Sequence, residues 1–291
     1  MKKVITFGNG FISNHFAYPI MNDRLIADEK QIRSILEREK PDVVINGAGW
    51  CGDPNIDAVE NNKTRANITN TVIPALLASE CNKLGIRFIN IGSGCIFYGE
   101  SPNTITSPDV KFNKTTGYIA KTDLGWKETD FAHPLSHYSK TKAACDMLIG
   151  NLPNTTILRI RMPVSEKNSP RNFISKVRNY SKVIDEPNSM TFVSDLVRCV
   201  DWIIENNKSG IYHVVNPSLL TAADVMREYQ KYDSSHKFDV ISLSELDELI
   251  VAKRSNCALN ADKLASEGFV MTPAKEALEA CMANYVKNIK I

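Results

Sequence analysis

The chain has 291 residues and a mass of 32.5 kDa, room for one large α/β domain or two modest ones, which excludes a fragment or a mini-protein. Hydrophobic residues make up 43% and charged residues 23%, with 14 Gly and 13 Pro, the composition of a folded globular chain and not of a disordered, collagenous or coiled-coil one. Thirty-five Lys plus Arg against 33 Asp plus Glu leave +2, so no global field draws the protein to nucleic acid or to an anionic membrane, and an anionic ligand has to be held locally.

Val4-Ile5-Thr6-Phe7 reads as a strand buried on both faces. It runs into Gly8-Asn9-Gly10-Phe11-Ile12-Ser13, a G-x-G-x-x-S turn that brings backbone close to a pyrophosphate at the N-terminus of the next helix. Gly8, Asn9, Gly10, Phe11 and Ile12 are therefore candidate cofactor contacts. Ser13 in place of a third glycine is expected to loosen the packing of that helix on the sheet. Asp28 stands where an acid would grip a ribose 2′-hydroxyl, but it reads as a helix cap. Arg24 is available for a 2′-phosphate, which favours NADP over NAD.

Ile32, Ile35 and Leu36 give the next segment an apolar helical face, ended at Lys40-Pro41. Asp42 to Asn46 is a second strand, residues about 63 to 83 a long helix, and Arg87 to Ile91 a third strand. Ser93 falls at the carboxyl end of that strand, where open α/β sheets place ligands. Cys95 follows two residues later. A thiol beside a carbonyl-binding hydroxyl can exchange a proton on the neighbouring carbon, whereas the other six cysteines read as inert packing.

The connection from Tyr98 to His133 has the length of a lid or binding loop. The helix after Pro134, marked by Ala143, Ala144, Met147 and Leu148, carries Tyr138-x-x-x-Lys142. That spacing sets phenol and ammonium on one face, and the cation favours the phenolate, so the pair can relay a proton. Thr155 to Ile160 is a fourth strand. Strands alternating with helices give βαβ units and a parallel sheet covered on both faces.

Beyond about Met162 the elements become short and mixed, with helices near 173–180, 193–206, 222–232 and 273–289 and a strand over 210–215. The expected fold is a Rossmann-type doubly wound parallel sheet in residues 1–162. A smaller mixed α/β substrate-binding lobe in 163–291 is interleaved with it, and the cleft between them is the ligand site. Lys176 by its own context reads as a solvated surface lysine.

Seven cysteines, Cys51, Cys81, Cys95, Cys145, Cys199, Cys257 and Cys281, form no C-x-x-C pair. A disulfide framework or a metal site is not expected, and a reducing compartment is. The apolar run after Met1-Lys2-Lys3 is too short for a signal peptide, and no stretch approaches the roughly 20 apolar residues that cross a bilayer. A cytoplasmic location is expected.

Strand-one glycines, Asn46-Gly47-Ala48-Gly49, Ser93 and Tyr138-x-x-x-Lys142 together resemble an extended short-chain dehydrogenase/reductase. More closely, the chain resembles the nucleotide-rhamnose synthase epimerase-reductases. This rests on Ser93-Gly94-Cys95-Ile96-Phe97, Tyr138 to Lys142, Arg159-Ile160-Arg161-Met162-Pro163, Pro170-Arg171-Asn172-Phe173-Ile174, Asn188-Ser189-Met190-Thr191 and Arg254-Ser255-Asn256. The resemblance implies inversion of C3 and C5 of UDP-4-keto-6-deoxy-D-glucose, then reduction of C4 by NADPH, with NADH as the second choice, to give UDP-L-rhamnose.

By that resemblance Ser93, Tyr138 and Lys142 form the reductase triad, and Cys95 with Lys176 serves epimerisation. Ala48, Gly49 and Pro163 join the cofactor contacts. Arg254 first and Arg171 second are expected at the nucleotide diphosphate, whose oxygens the guanidinium fork fits. Asn172 and Asn216 are expected at the sugar or base. A homodimer is the superfamily expectation.

Two departures stand out: the shorter Gly8-Asn9-Gly10 turn, and an abbreviated segment from Phe16 to Arg24. A reductase without epimerase activity and a non-catalytic dinucleotide-binding subunit are the competing readings. The intact Ser93, Tyr138 and Lys142 weigh against the second of these.

Overall fold

The computed structural model describes residues 2–102 and 125–289, so the middle of the expected lid connection lies outside the described residues. Strands β1 (Val4–Phe7), β2 (Val43–Asn46), β3 (Arg87–Ser93) and β4 (Thr155–Ile160) are buried along almost their whole length. Their continuous apolar runs reflect helices on both faces. Three short strands follow, β5 (Pro163–Val164), β6 (Lys182–Ile184) and β7 (Thr191–Phe192), and then β8 (Gly210–His213).

The main sheet has five parallel strands in the order β1-β2-β3-β4-β8. The strand expected in the small lobe thus joins the first sheet, with His213 opposite Arg159. Pairing with β8 covers the edge that β4 would otherwise expose. At the other edge, among the described residues, only an isolated parallel bridge between Thr6 and Ile20 lies beyond β1. The abbreviation expected there is real.

Helix α1 (Glu29–Glu39) is capped by Asp28, which accepts from Lys30 N and Gln31 N, and closes at Lys40 in the left-handed region. Helix α2 (Asp57–Glu60) precedes the expected long helix, which is a broken run: α3 (Lys63–Asn67), a π turn (Ile68–Val72) and α4 (Ile73–Lys83). Helix α5 (His137–Ile149) starts at Ser136, whose side chain accepts from Ser139 N. The second half holds α6 (Phe173–Arg178), α7 (Val193–Glu205), α8 (Ala222–Gln230), strand β9 (Asp239–Ile241) paired with β6, α9 (Leu243–Leu249), α10 (Asp262–Ser266) and α11 (Ala274–Ile289).

Side chains of the sheet alternate between two cores. Ile5, Phe7, Val44, Phe88 and Ile157 meet α1, α4 and α5 on one face. Val43, Ile45, Ile89 and Leu158 meet Leu196, Val200 and Ile203 of α7 on the other. A third core joins α6, α8 and α11 through Ile174, Val177, Met226, Leu278 and Tyr285. Residues 193–213 therefore complete the first sheet, and the smaller lobe is built from what surrounds them in sequence.

Among the described residues one ion pair is buried on both sides: Arg159 Nε on β4 meets Asp146 Oδ2 on α5 at 2.8 Å. Arg159 also donates to Glu128 O at 3.2 Å and lies against His213 Nε2 at 3.2 Å. Burial pushes the Asp146 carboxyl up and the His213 imidazole well down, so His213 adds no second cation. Removing one partner strands a charge in the core. Asp146→Ala is expected to lower unfolding free energy by about 3–5 kcal/mol, read from the urea midpoint; a loss below about 1 kcal/mol would show that the pair is expendable.

Candidate active site

The parallel sheet delivers the ends of β1, β2 and β3 to one edge, and the first turn is wedged against the second strand end. Gly8 has φ +93°, and a Cβ there would lie 2.5 Å from Ala48 N, so only glycine fits. A Cβ on Gly10 would meet nothing within 4 Å, leaving the turn open on its outer side. Ser13 does not loosen the packing as expected. It is fully buried, and a Cβ on Gly47 would lie 2.2 Å from its Oγ. The volume of the lost glycine has moved across the contact, from position 13 to position 47.

The helix expected after this turn is a three-residue 3-10 turn, Ser13–His15. Its backbone N–H groups remain, but a long helix dipole does not. Asn9 Oδ1 accepts from Asn14 Nδ2 at 3.0 Å, and Ile12 packs against the sheet core. The Phe11 carbonyl bonds His15 Nδ1 at 2.8 Å, and His15 Nε2 reaches Ser165 Oγ at 2.9 Å, just beyond Pro163. This ties the turn to the second half of the chain. Arg24 is exposed, a few residues past the Ile20 bridge.

Ser93 ends β3 with its side chain buried and accepts from Cys95 N at 3.2 Å. Tyr138, in the first turn of α5, hydrogen-bonds Ser93. Burial, reinforced by the thiols of Cys51 and Cys95, pushes its phenol up, while Ser93 and the Arg171 guanidinium oppose the shift. Lys142 lies one turn on and is buried; its Nζ donates to Ile91 O at 3.3 Å and would sit 3.5 Å from a Cβ on Gly49. The Tyr-x-x-x-Lys spacing and the strand-end serine thus converge as the sequence suggests.

Lys176, on α6, is not a solvated surface lysine. It is partly buried, and its ionic neighbours are Cys51, Arg171, Cys95 and Arg254. Burial lowers its ammonium below the usual lysine range; the two guanidiniums add to this and the two thiols oppose it. Cys95 is partly exposed, and its Sγ accepts from Arg161 Nη1 at 3.7 Å. Cys51 is also partly exposed and belongs to this cluster, which corrects its reading as inert packing. Its isolation in sequence gave no signal of this.

The fully buried Asn70, in the π turn, is another residue the sequence did not mark. Trp50 N donates to Asn70 Oδ1 at 2.7 Å, and Asn70 Nδ2 donates to Trp50 O at 2.8 Å and to Thr141 Oγ1 at 3.1 Å. The Gly49–Cys51 loop is thereby fastened to the helix that carries Lys142. A π turn at such a place is common, because the extra residue re-aims one side chain.

Two expected sugar or base contacts are corrected. The Asn172 side chain accepts from Ser165 N and Ile174 N and donates to Ser165 O and Lys167 O. Asn216 accepts from Phe192 N and donates to Asp195 Oδ2 and Thr272 O. Both amides are buried and spent on the framework. Arg254 is held by Asp57, Nη1 to Oδ1 at 2.7 Å and Nη2 to Oδ2 at 3.0 Å, and keeps that carboxyl low. Arg171 instead donates to Cys51 Sγ at 3.2 Å and to Gly52 O at 2.8 Å. Among the described residues no group of acidic, histidine and cysteine side chains is arranged to hold a metal.

The depressed ammonium of Lys176 is a stability cost. Below its folded value the charged form is penalised only in the folded state, so the cost is greatest at low pH and shrinks as pH rises from that value to the ordinary 10.5. Lys176→Met is expected to raise the melting temperature by about 2–4 °C at pH 7 and by less at pH 10. Thermal melts at both values check this, and a fall at pH 7 would contradict it.

Residues 14–287 match the family model described as the RmlD substrate binding domain. A bifunctional dTDP-4-dehydrorhamnose 3,5-epimerase/dTDP-4-dehydrorhamnose reductase of Arabidopsis thaliana is 36% identical over 256 residues, covering 87% of this chain and 80% of that protein. The crystal structure of the L780 UDP-rhamnose synthase from Acanthamoeba polyphaga mimivirus superposes with a TM-score of 0.85 at 27% identity, over 97% of this chain and 99% of that one. A dTDP-4-dehydrorhamnose reductase from Bacillus anthracis, solved in complex with NADP, shares the fold at a TM-score of 0.78 and 20% identity, over 97% and 99% of the two chains. With its sheet order, its Ser-Tyr-Lys site and a match that runs nearly end to end, this chain belongs to the RmlD substrate-binding-domain family of extended short-chain dehydrogenase/reductases.

Proposed function

We propose that the protein inverts C3 and C5 of UDP-4-keto-6-deoxy-D-glucose and then reduces C4, giving UDP-L-rhamnose. One observation carries this: Tyr138, from the reductase triad, and Lys176, from the epimerisation pair, share the thiols of Cys51 and Cys95 as ionic neighbours. The two sets of groups form one site. A reductase acting on a sugar epimerised elsewhere would have no use for a half-buried lysine beside two thiols.

Ser93 and Tyr138 hydrogen-bond the C4 ketone and draw electron density from it, so the hydrogens on C3 and C5 become acidic. Cys95 and Lys176 exchange protons at those carbons from opposite faces, while the triad holds the enolate oxygen. Burial keeps the Tyr138 phenol protonated at rest, so it can give its proton to O4 as C4 is reduced. The Lys142 ammonium beside it stabilises the charge left on the phenol.

NADPH fits the first edge of the sheet, with NADH as the alternative: the Gly8–Gly10 turn is open outward and only glycine fits at its first position. The groups that would hold it are that turn with Phe11 and Ile12, then Ala48, Gly49, Lys142 and Pro163, with Arg24 at the 2′-phosphate. When bound it supplies the hydride for C4. Residues 1–162 carry most of this cofactor half and 163–291 most of the substrate half. Arg254, steadied by Asp57, takes the diphosphate, with Arg171 second.

The protein acts as a homodimer in the cytoplasm. Support for the dimer comes from Met147 and Leu148 of α5, 80% and 60% exposed, and from Ile68 and Val72 of the neighbouring π turn, each 40% exposed. Large apolar side chains left out on two packed helices mark an association face. No helix of the described residues is long and apolar enough to cross a membrane.

Incubation with UDP-4-keto-6-deoxy-D-glucose and NADPH in heavy water tests the reaction. Deuterium is expected at two ring carbons of a rhamnose product, and Cys95→Ala is expected to abolish it. Reduction without label would leave a simple reductase. For the dimer, Met147→Glu combined with Leu148→Lys should shift light scattering to a single 32.5 kDa chain; a wild-type mass identical to that of the variant argues against this face.

A further inference from the structure

Cys51 stands five residues past the end of β2, on the loop that Asn70 fastens through Trp50. Its sulfur accepts from Arg171 Nη1 at 3.2 Å, against 3.7 Å for the contact between Arg161 Nη1 and Cys95 Sγ. The second Arg171 amino group is fixed on Gly52 O, and no carboxylate pairs with this guanidinium among the described residues. Cys51 also acts more strongly than Cys95 on both the Tyr138 phenol and the Lys176 ammonium. A partly exposed thiol beside fixed cations is the setting in which cysteines react.

The proposed reaction has work for such a group. In the 4-keto-6-deoxyglucose ring the hydrogens on C3 and C5 leave from the same face, so one base can take both, and the new hydrogens must arrive from the other face. After the first inversion the base carries a proton and the acid has lost one. A two-residue site must be reset before the second inversion can proceed. A third proton-transferring group on the same site removes that delay.

We propose that Cys51 is a further catalytic residue, the proton donor for one of the two inversions. Its S–H bond breaks as a C–H bond forms on the enolate carbon, and the negative charge passes from the enolate to sulfur. Arg171 is placed to receive that charge, through its 3.2 Å contact with the thiol. The thiolate then takes a proton from the Lys176 ammonium, Lys176 regains one from water, and the base on the opposite face releases the substrate proton to water, so each cycle is balanced without an added reagent. The Arg161 contact gives Cys95 a longer and separate cationic partner, in keeping with two thiols that do different work.

This inference rests on the epimerase-reductase reading, and the experiment separates the two. Wild type, Cys51→Ala and Cys51→Ser are incubated with UDP-4-keto-6-deoxy-D-glucose in heavy water, and deuterium at C3 and at C5 is followed separately by NMR. The serine variant keeps a hydroxyl for Arg171, so a folding defect in the alanine variant leaves the test intact. Expected is a slowing of at least 30-fold at one carbon in both variants, with the other carbon within threefold of wild type. Wild-type behaviour of the serine variant, unchanged rates at both carbons, or an equal loss at both would overturn the role of Cys51. Wild-type enzyme that labels neither carbon would overturn the reading on which it rests.

Discussion

An ammonium buried beside two guanidiniums is unfavourable, and the site is organised around that cost. Lys176 is held there by α6, whose Asn172 cap is locked by four hydrogen bonds to Ser165, Lys167 and Ile174. The two thiols are the acidic groups that offset its charge. Asp57 neutralises Arg254, which leaves Lys176, Arg171 and Arg161 as the cations facing Cys51 and Cys95. A site of this kind favours negative charge arriving from outside, as an enolate oxygen or a phosphate would bring it.

The second constraint is geometric. Parallel strands place all their carboxyl ends on one side, so Gly8, Ala48 and Ser93, far apart in sequence, reach the same edge. The close approach of Gly8 to Ala48 and of Ser13 to Gly47 fixes the first turn against the second strand end. Across β2 and β3 the buried Asn46 Nδ2 donates to Asn90 Oδ1 at 2.8 Å. Behind them the buried pair of Arg159 and Asp146 fastens α5 to the sheet, holding the helix that carries both Tyr138 and Lys142.

The two halves of the chain share a core, in which Ile96, Phe97, Trp126 and Ala143 meet Val215, Cys257, Leu259 and Ala261, and polar side chains add further links. His15 bridges the first turn to Ser165, Arg171 reaches from the second half to Cys51 and Gly52, and Arg254 reaches Asp57. Each of these links joins the first half of the chain to the second. A movement of Arg171 therefore also acts on the loop that follows β2.

Much of the fold was legible in the sequence because its signals are local. Apolar runs set β1 to β4, the G-x-G turn and Ser93 mark strand ends, and Tyr138 with Lys142 share a helical face through spacing alone. The shortened first helix and edge strand could be read from segment length. What stayed hidden depends on contacts between distant residues. The volume exchange between Ser13 and Gly47, the membership of 210–213 in the first sheet, the saturation of Asn216, and the gathering of Cys51 with Lys176 are each made across more than twenty residues of chain, while Asn172 is saturated by the fold of its own loop on Ser165 and Lys167. Periodicity and motif report which way a side chain points on its own element; which charge, hydroxyl or void it meets there is fixed only when the elements pack.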